Sequence, residues 1–311
     1  MRWLSEDVET LAALCAPDAA RPERATLLVI GSGYGGAVAA ARFAESGHDV
    51  WLLERGREYL PEDFPHDLNQ APGHVRAESM QHGQVRASGY EHALFDFRLG
   101  DRCSALLGNG LGGGSLINAA VALRPDERVF AHSAWPADLR DTASWRCHFE
   151  AAEQGLGVQD GQAQRAALDC VPQQTEKYQR LAELAAAARR RSQDSQIDVG
   201  LHDVPLAIQF GRFEPAAPVP LQACIGCGNC VSGCRHQAKL SLDKTYLPRA
   251  RQAGARLFTG VTALWLEYRA DAAHPDHPWV AHCLRTSERA LWMETAAVDT
   301  VQAQRLYLFE V

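Results

Sequence analysis

The clearest pattern of apolar and polar positions lies between residues 25 and 56, where it changes from strand to helix and back to strand. Leu27–Ile30 is an unbroken apolar run bounded by turn residues, which predicts a buried parallel strand. Alanines then recur at helical spacing before Gly47, at Ala37, Ala40, Ala41 and Ala44. A second apolar run, Val50–Leu53, ends in Glu54. The pattern therefore predicts a βαβ half-unit, the building block of an α/β fold with a parallel sheet.

Weaker patterns predict elements on both sides of this unit. Helical spacing predicts a short helix over residues 5–15, and a helix after Asp243 that ends at Gly254. Two stripes at helical spacing are interpreted as core faces, namely Trp145, Phe149, Ala152 and Leu156, and then Tyr178, Leu181, Ala185 and Ala188. Further strands are predicted at Val204–Phe210, Arg256–Leu266, Trp279–Arg285 and Arg305–Glu310. Residues 57–103, rich in Pro, Gly, His and charge, are predicted to form long loops with one short strand around Leu94–Arg98.

The turn between the first predicted strand and its helix has the spacing G-x-G-x-x-G, at Gly31, Gly33 and Gly36. Gly31 permits the tight turn, Gly33 lets the backbone approach a diphosphate, and Gly36 lets the helix pack close to the sheet. The N–H groups and positive dipole end at the start of the helix suit a diphosphate. Glu54 can accept hydrogen bonds from a ribose diol. With strand, helix and acid all in place, the segment predicts a dinucleotide site rather than an ordinary glycine-rich loop.

A second glycine-rich loop runs directly into an apolar segment that ends at Leu123. Such a loop costs backbone entropy, so we expect a steric reason for it, and the close approach of backbone to a ligand is one. A flexible linker would not continue straight into an apolar run. The residues assigned to this ligand-binding loop are Gly108, Asn109, Gly112, Gly113, Gly114 and Ser115.

Composition narrows the range of functions. The formal net charge of -7 argues against a general nucleic-acid-binding surface. No apolar stretch reaches the roughly 18 residues of a membrane span. Residues 1–20 also lack the apolar core of an export signal. We therefore expect a cytoplasmic protein with no membrane span and no nucleic-acid partner.

Four of the nine cysteines lie close together, at Cys224, Cys227, Cys230 and Cys234. In a chain with room for a large core, this clustering suits metal binding in a reducing compartment better than a disulfide framework. The spacing C-x2-C-x2-C-x3-C is that of half a bacterial ferredoxin motif and predicts a [4Fe-4S] iron–sulfur cluster. A structural zinc site and a metal-free turn are the alternatives.

Three segments occur in a fixed order along the chain: IGSGYGGAVAAARFAESGHDVWLLERGR, GNGLGGGSLINAAVALRP and AKLSLDKTYLPRARQAGARLFTGV. Together they resemble the glucose-methanol-choline (GMC) flavoprotein oxidoreductases, and among them the cholesterol-oxidase-like branch. The resemblance spans nearly the whole chain, and its middle segment is the most specific. It implies that the dinucleotide is FAD.

The resemblance also implies roles for individual residues. Tyr34 and Gly35 would lie at the diphosphate turn, Glu54 would bind the adenosine ribose, and Val261 would pair its backbone with the adenine. The residues expected to border the flavin are Gly114, Asn118 and Val121.

One position departs from the family's pattern. The family often has two glycines after the asparagine, whereas this chain has Ala119 and Ala120. Their methyl groups are expected to narrow the space over the flavin.

The implied fold is a Rossmann-like FAD-binding domain interrupted by an incomplete α+β substrate domain. An N-terminal helix and linker would occupy residues 1–24, and the FAD-binding domain residues 25–135 and 243–311. The inserted helical and loop region with the cysteines would occupy residues 136–242. The implied reaction is hydride transfer to the flavin from the CH–OH carbon of a small-molecule alcohol, either a sterol or another bulky alcohol. An iron–sulfur cluster could then pass single electrons to an acceptor, such as a partner protein.

The resemblance assigns no catalytic residue to this chain. The family's catalytic His and its Asn partner follow a strand like Arg305–Leu308, and so are expected beyond Val311. None of the twelve histidines inherits their role. The chain is therefore expected to be truncated at its C-terminus. Two alternatives remain: a catalytically silent FAD-binding remnant or part of a split enzyme, and an iron–sulfur electron-transfer protein.

Overall fold

The computed structural model describes residues 3–15, 25–67, 69–81, 84–159, 176–191, 200–211, 214–215, 219–268, 279–285 and 307–310. The α-helices are α1 (Val8–Leu14), α2 (Tyr34–Glu45), α3 (Thr142–Gly155), α4 (Glu176–Arg191) and α5 (Tyr246–Gln252). The strands are β1 (Glu6–Asp7), β2 (Leu27–Ile30), β3 (Val50–Glu54), β4 (Val75–Gln81), β5 (Gln84–Gly89), β6 (Phe95–Leu99), β7 (Ser104–Gly108), β8 (Arg256–Thr259), β9 (Val261–Tyr268), β10 (Trp279–Arg285) and β11 (Tyr307–Glu310). Within these residues, no helix has both the length and the apolar character needed to cross a bilayer.

A four-stranded parallel sheet carries the predicted βαβ unit. Its strand order is β1-β8-β3-β2, and β2 pairs with β3 from Leu27 opposite Val50 to Ile30 opposite Leu53. Helix α2 connects these two strands. All five residues of β3 are buried, because this strand lies inside the sheet and is covered on both faces. The prediction of a mixed α/β fold with a parallel sheet is confirmed.

The two faces of the parallel sheet are covered in different ways. On one face lie α2 and α5, and the alanine stripe of α2 is buried against the sheet and against Leu247 of α5. Small side chains allow this close packing of helix on strand. On the other face, Val8 and Leu11 of α1 pack with Trp51 and Phe258, together with apolar residues of β9 and β10. The packing fixes the carboxyl ends of β2 and β3, where the candidate site lies.

The predicted strand Arg256–Leu266 is two strands in the structure. Gly260 interrupts it with a φ of 77°, a left-handed conformation that favours glycine. The first half, β8, belongs to the parallel sheet, while β9 pairs with β10 in a three-stranded antiparallel sheet. This apolar run therefore contributes one strand to each of two sheets.

The prediction of long loops over residues 57–103 is wrong. This segment supplies β4, β5 and β6, which form a four-stranded sheet with β7. Four of the charged residues in this segment lie on one face of the sheet and stand opposite each other on neighbouring strands. Arg76 stands opposite Asp96 and Glu78 stands opposite Arg98 in the β4–β6 register. The Arg98 guanidinium lies 2.7 Å from Asp96, and it also pairs with Glu78.

Helices α3 and α4 form where predicted, but their apolar stripes are less buried than a core face. Trp145 and Phe149 of α3 are half-buried and stack in an aromatic cluster with Phe130. Helix α4 contains no buried residue among its described side chains, and its Leu181 is 43% exposed. The predicted strand Val204–Phe210 forms only isolated bridges, such as that between Ile208 and Lys239.

Candidate functional site

The first turn of the βαβ unit forms an open backbone cradle. Gly33 caps the N-terminus of α2, and a Cβ placed on either Gly33 or Gly35 would meet no atom within 4 Å. By contrast, a Cβ on Gly36 would lie 1.9 Å from the carbonyl oxygen of Gly31. Gly36 is therefore required for packing, whereas Gly33 and Gly35 border open space. That space lies at the positive end of a twelve-residue helix, where a diphosphate is stabilised.

The second glycine-rich loop faces this cradle. Residues Gly113–Leu116 form a short 3-10 helix, and a Cβ on Gly113 would lie 2.9 Å from the Cα of Gly33. The two glycine regions thus meet backbone to backbone. The close approach of this loop to a ligand stays a prediction. A Cβ on Gly108 would lie 2.3 Å from the carbonyl oxygen of Gly113, so Gly108 serves the packing of the loop on itself. Gly114 borders open space.

Glu54 and Ser32 join these two loops through buried hydrogen bonds. The Ser32 hydroxyl donates to Glu54 Oε2 over 2.5 Å and accepts from the Gly112 amide over 2.9 Å. Glu54 also accepts from the Ser32 amide and, through Oε1, from the Gly56 amide. Ser32 is 0% exposed and Glu54 is 7% exposed. The carboxylate therefore organises the turn in addition to the ribose contact that the sequence predicts, and the sequence patterns gave no sign of Ser32.

Replacing Ser32 by alanine is expected to destabilise the fold. It removes a donor to the buried Glu54 carboxylate and leaves the Gly112 amide without its acceptor, at a cost of about 1–3 kcal/mol. Ser46→Ala is the control, because that hydroxyl is exposed and bonds only locally at the end of α2. Urea unfolding measures both variants. Equal midpoints for the two would contradict this role of Ser32.

Asn118 is held next to the glycine turn at the start of α2. Its Nδ2 donates to the Tyr34 hydroxyl over 2.7 Å, and its Oδ1 accepts from the Ala120 amide over 3.0 Å. Burial raises the pKa of the Tyr34 phenol, against the opposing effect of the bond from Asn118, so the phenol keeps its proton. Because the phenol oxygen accepts from Asn118, that proton is available for donation to a ligand. Tyr34 is 44% exposed and Val121 is also 44% exposed, so both can be reached from outside.

Two other predicted site residues face the protein interior. Asn109 is 1% exposed, and its amide nitrogen donates to the carbonyls of Glu91 and Ala93. The Ser115 hydroxyl, 1% exposed, donates to the Gly112 carbonyl and accepts from the Leu242 amide. The side chains of Asn109 and Ser115 thus support the second glycine-rich loop from its buried side.

Val261 opens strand β9 beside the parallel sheet. Its side chain is 1% exposed in the core, and its backbone stands opposite Arg285 of β10. Only its backbone could therefore meet an adenine, and this contact stays a prediction.

The two alanines after Asn118 differ in environment. Ala119 is exposed, whereas Ala120 is 4% exposed and its methyl packs with Ile208, Phe210 and Leu240. For Ala120, the expectation that the methyl narrows the space over the flavin is therefore wrong, because this methyl lies in the core. Ala120 also has a φ of 61°, a conformation that L-residues adopt at a cost.

Ala120→Val is expected to destabilise the protein by about 1–3 kcal/mol, because a β-branched side chain is strained at positive φ. The neighbouring Ala119→Val is the control, since the added methyl groups there lie in solvent. The thermal unfolding midpoint of Ala120→Val should fall, whereas that of Ala119→Val should stay within about a degree or two of wild type. A stable Ala120→Val protein would show that the left-handed conformation is not held in solution.

The four clustered cysteines line a cavity of about 460 Å³. Cys227 is exposed and the other three are half-buried. Within the described residues, which include all four, no group of three or more His, Cys, Asp or Glu side chains is placed to hold a metal ion. The iron–sulfur and zinc predictions therefore receive no support from the structure. Spacing along the chain does not by itself bring the sulfur atoms to the vertices of one coordination site.

Lys239 lines the same cavity and was not singled out by the sequence patterns. It is 3% exposed, and its ammonium donates to the carbonyls of Leu116, Asn118 and Cys230 over 2.9, 2.7 and 2.8 Å. Burial lowers the pKa of Lys239 to about 8, although the neighbouring Cys230, Asp243 and Cys234 oppose that shift. Burial also raises the pKa of the Cys230 thiol, by more than the nearby ammonium lowers it. The thiol is therefore neutral and does not balance the charge of Lys239.

Comparison with known proteins places these features in a family context. No protein-family model matches the chain. A cholesterol oxidase of Acinetobacter baumannii is 29% identical over 240 residues, which cover 74% of this chain and 39% of the oxidase. A GMC-type oxidoreductase of Mycobacterium tuberculosis is 27% identical over 279 residues, covering 85% of this chain and 36% of its own length. A long-chain-alcohol oxidase of Arabidopsis thaliana is 24% identical over 241 residues, covering 77% of this chain and 26% of the oxidase.

These similarities support the resemblance to the GMC oxidoreductases, whose cofactor is FAD. This chain spans about two fifths of the length of the cholesterol oxidases that it matches.

Proposed function

We propose that this chain forms the FAD-binding part of an oxidoreductase that acts on the CH–OH group of alcohols. The observation that carries the proposal is the backbone cradle at the start of α2. Gly33 and Gly35 border open space there, and Gly113 brings the second glycine loop into backbone contact with Gly33. Side chains at Gly33 or Gly35 would fill the space that a diphosphate needs, so the residues present fit FAD.

Each part of the cradle has a separate task in holding the cofactor. The amides at the N-terminus of α2 would bind the diphosphate, and Tyr34 would donate its proton to it or to a neighbouring polar group. Glu54 would bind the ribose through Oε1, on which the Gly56 amide leaves one lone pair available. Gly114, Asn118 and Val121 would border the flavin. When bound, FAD would supply the acceptance of a hydride from the alcohol carbon, and the protein would supply orientation and electrostatics.

The proposed substrate class is a sterol or another bulky alcohol. It is supported by the relatives of this chain, which include cholesterol oxidases and a long-chain-alcohol oxidase. The acceptor that reoxidises the flavin belongs to the same proposal, with a partner protein as one candidate. Because the described cysteines offer no metal site, an iron–sulfur route to that acceptor is not part of the proposal.

Two measurements on the purified chain test the proposal. Reconstitution with FAD should give a visible flavin spectrum that survives gel filtration. Anaerobic addition of cholesterol or of a panel of long-chain and aryl alcohols tests the reaction, and bleaching of the flavin by one of them would identify the substrate class. Failure to retain FAD would overturn the proposal as a whole. Retention of FAD without bleaching would overturn only the assignment of alcohol oxidation to this chain.

A further inference from the structure

Lys239 carries a buried positive charge whose acceptors are all neutral. Its three N–H donors are used by the carbonyls of Leu116, Asn118 and Cys230. These three carbonyls satisfy its hydrogen bonds but bring no negative charge. Burying a cation in this way is costly, and the cost is usually met by a carboxylate partner. Among the described residues no carboxylate contacts this ammonium, and Asp243, which acts on it from a greater distance, is paired with Lys244. The charge of Lys239 therefore acts on what lies beside it.

What lies beside it is the turn that is proposed to border the flavin. Asn118 is held on three sides: its carbonyl accepts from Lys239, its Oδ1 accepts from the Ala120 amide, and its Nδ2 donates to Tyr34. A continuous series of hydrogen bonds therefore joins the ammonium of Lys239 to the diphosphate turn. The carbonyls of Leu116 and Asn118 point toward the charge, which fixes the backbone of this turn.

A second buried lysine in the same region provides a contrast. Lys244 is 7% exposed, its Nζ lies 3.4 Å from Asp243 Oδ2, and it stands over the ring of Trp3 at 4.7 Å. Its charge is paired with a carboxylate at close range. Lys239 and Lys244 thus differ in the feature that decides how far a charge acts, which is the presence of a counter-charge.

We propose that Lys239 is a positioning residue for the flavin side of the site. It fixes the Leu116–Asn118 turn, and its positive charge, which no carboxylate of the described residues contacts, raises the reduction potential of the bound flavin. The inference rests on the proposed binding of FAD. Reduction adds negative charge to a flavin, so a fixed positive charge nearby favours the reduced form. A nearby opposite charge typically shifts an equilibrium of this kind by about one to three decades. Because Lys239 acts from behind the backbone, we expect the lower end of that range.

The test is an anaerobic redox titration of the FAD-loaded chain against a dye of known potential. Lys239→Gln keeps hydrogen-bond donors but loses the charge, whereas Lys239→Arg keeps the charge. The Gln variant should lower the reduction equilibrium constant about tenfold, which is about 30 mV for a two-electron couple. The Arg variant should stay near the wild-type potential. Lys244→Met is the matched control and should also stay near it, because that lysine is already paired.

The outcomes separate this inference from the function on which it rests. A wild-type chain that does not retain FAD would overturn both. A wild-type chain that retains FAD, with a Lys239→Gln variant at the wild-type potential, would overturn only the role of Lys239. An equal fall in the reduction potential of Lys244→Met would also overturn the role of Lys239, because the effect would then not depend on an unpaired charge. If the Gln variant does not fold, Lys239→Met is compared with Lys239→Arg instead. Loss of folding in both variants would show that Lys239 has only a structural role, and it would overturn the electrostatic one.

Discussion

Gly33→Val is expected to abolish FAD binding while leaving the fold intact. The added side chain would enter the space that the diphosphate needs, since nothing in the protein lies within 4 Å of the Cβ position. The backbone of Gly33 has φ and ψ of -65° and -173°, an extended conformation that valine adopts readily. Loss of FAD binding would therefore come from the valine side chain, which occupies the ligand's space, and not from unfolding. The measurement is the flavin absorbance retained after reconstitution, compared with the far-ultraviolet circular dichroism of the same sample.

Gly73→Val is the matched control for this variant. Gly73 also borders open space, is exposed, and lies in a short 3-10 helix away from the glycine cradle. The control should retain FAD as wild type does. A Gly33→Val protein that binds FAD with wild-type affinity would show that the diphosphate does not use this turn.

The second large effect is expected for stability, from Gly36→Ala. Its Cβ would lie 1.9 Å from the carbonyl oxygen of Gly31 and 3.3 Å from the side chain of Val29. The nearer obstacle is backbone, so a change of rotamer cannot relieve the clash. Helix α2 would have to move away from the sheet on which its alanine stripe is buried. We expect a loss of about 4 kcal/mol or more, the range of severe core disruption.

Gly35→Ala is the control for this prediction, because it makes the same chemical change one residue earlier in the same helix. The Cβ of Gly35 would meet nothing within 4 Å, and alanine is favoured over glycine in helices by about 0.5–1 kcal/mol. Chemical denaturation of the FAD-free proteins should therefore separate the two variants widely. Similar unfolding midpoints would contradict the packing of α2 described above.

The sequence predicted the βαβ unit well because its signals are local. An apolar run of four residues and an alanine stripe each depend on neighbours within one element, and the structure confirms Leu27–Ile30 without change. The sheet formed by β4 to β7 could not be predicted in this way. Its charged residues form ion pairs with residues of adjacent strands, as Glu78 does with Arg98 and Arg76 does with Asp96. Pairing between side chains on different strands does not change the local pattern of apolar and polar residues.

The candidate site was predictable in its glycines but not in the residues that hold them. Spacing placed Gly33 and Gly114 at a ligand, and both border open space. Ser32 and Lys239 were missed, because a single serine or lysine carries no periodic signal. Their role depends on partners that are distant in sequence. Conversely, the cysteine spacing suggested a metal centre that the described residues do not form.

The sequence distances across these hydrogen bonds set an order for the assembly of the protein. Ser32 and Gly112 are 80 residues apart, and Lys239 and Leu116 are 123 apart. Contacts of this kind close large loops and therefore form late in folding. During synthesis, both glycine loops would leave the ribosome well before Lys239 does, so the nascent chain would carry a cradle whose flavin side is not yet fixed. Stable binding of the cofactor should then follow the emergence of Lys239 from the ribosome. Flavin incorporation would therefore be a late step in the biogenesis of this protein.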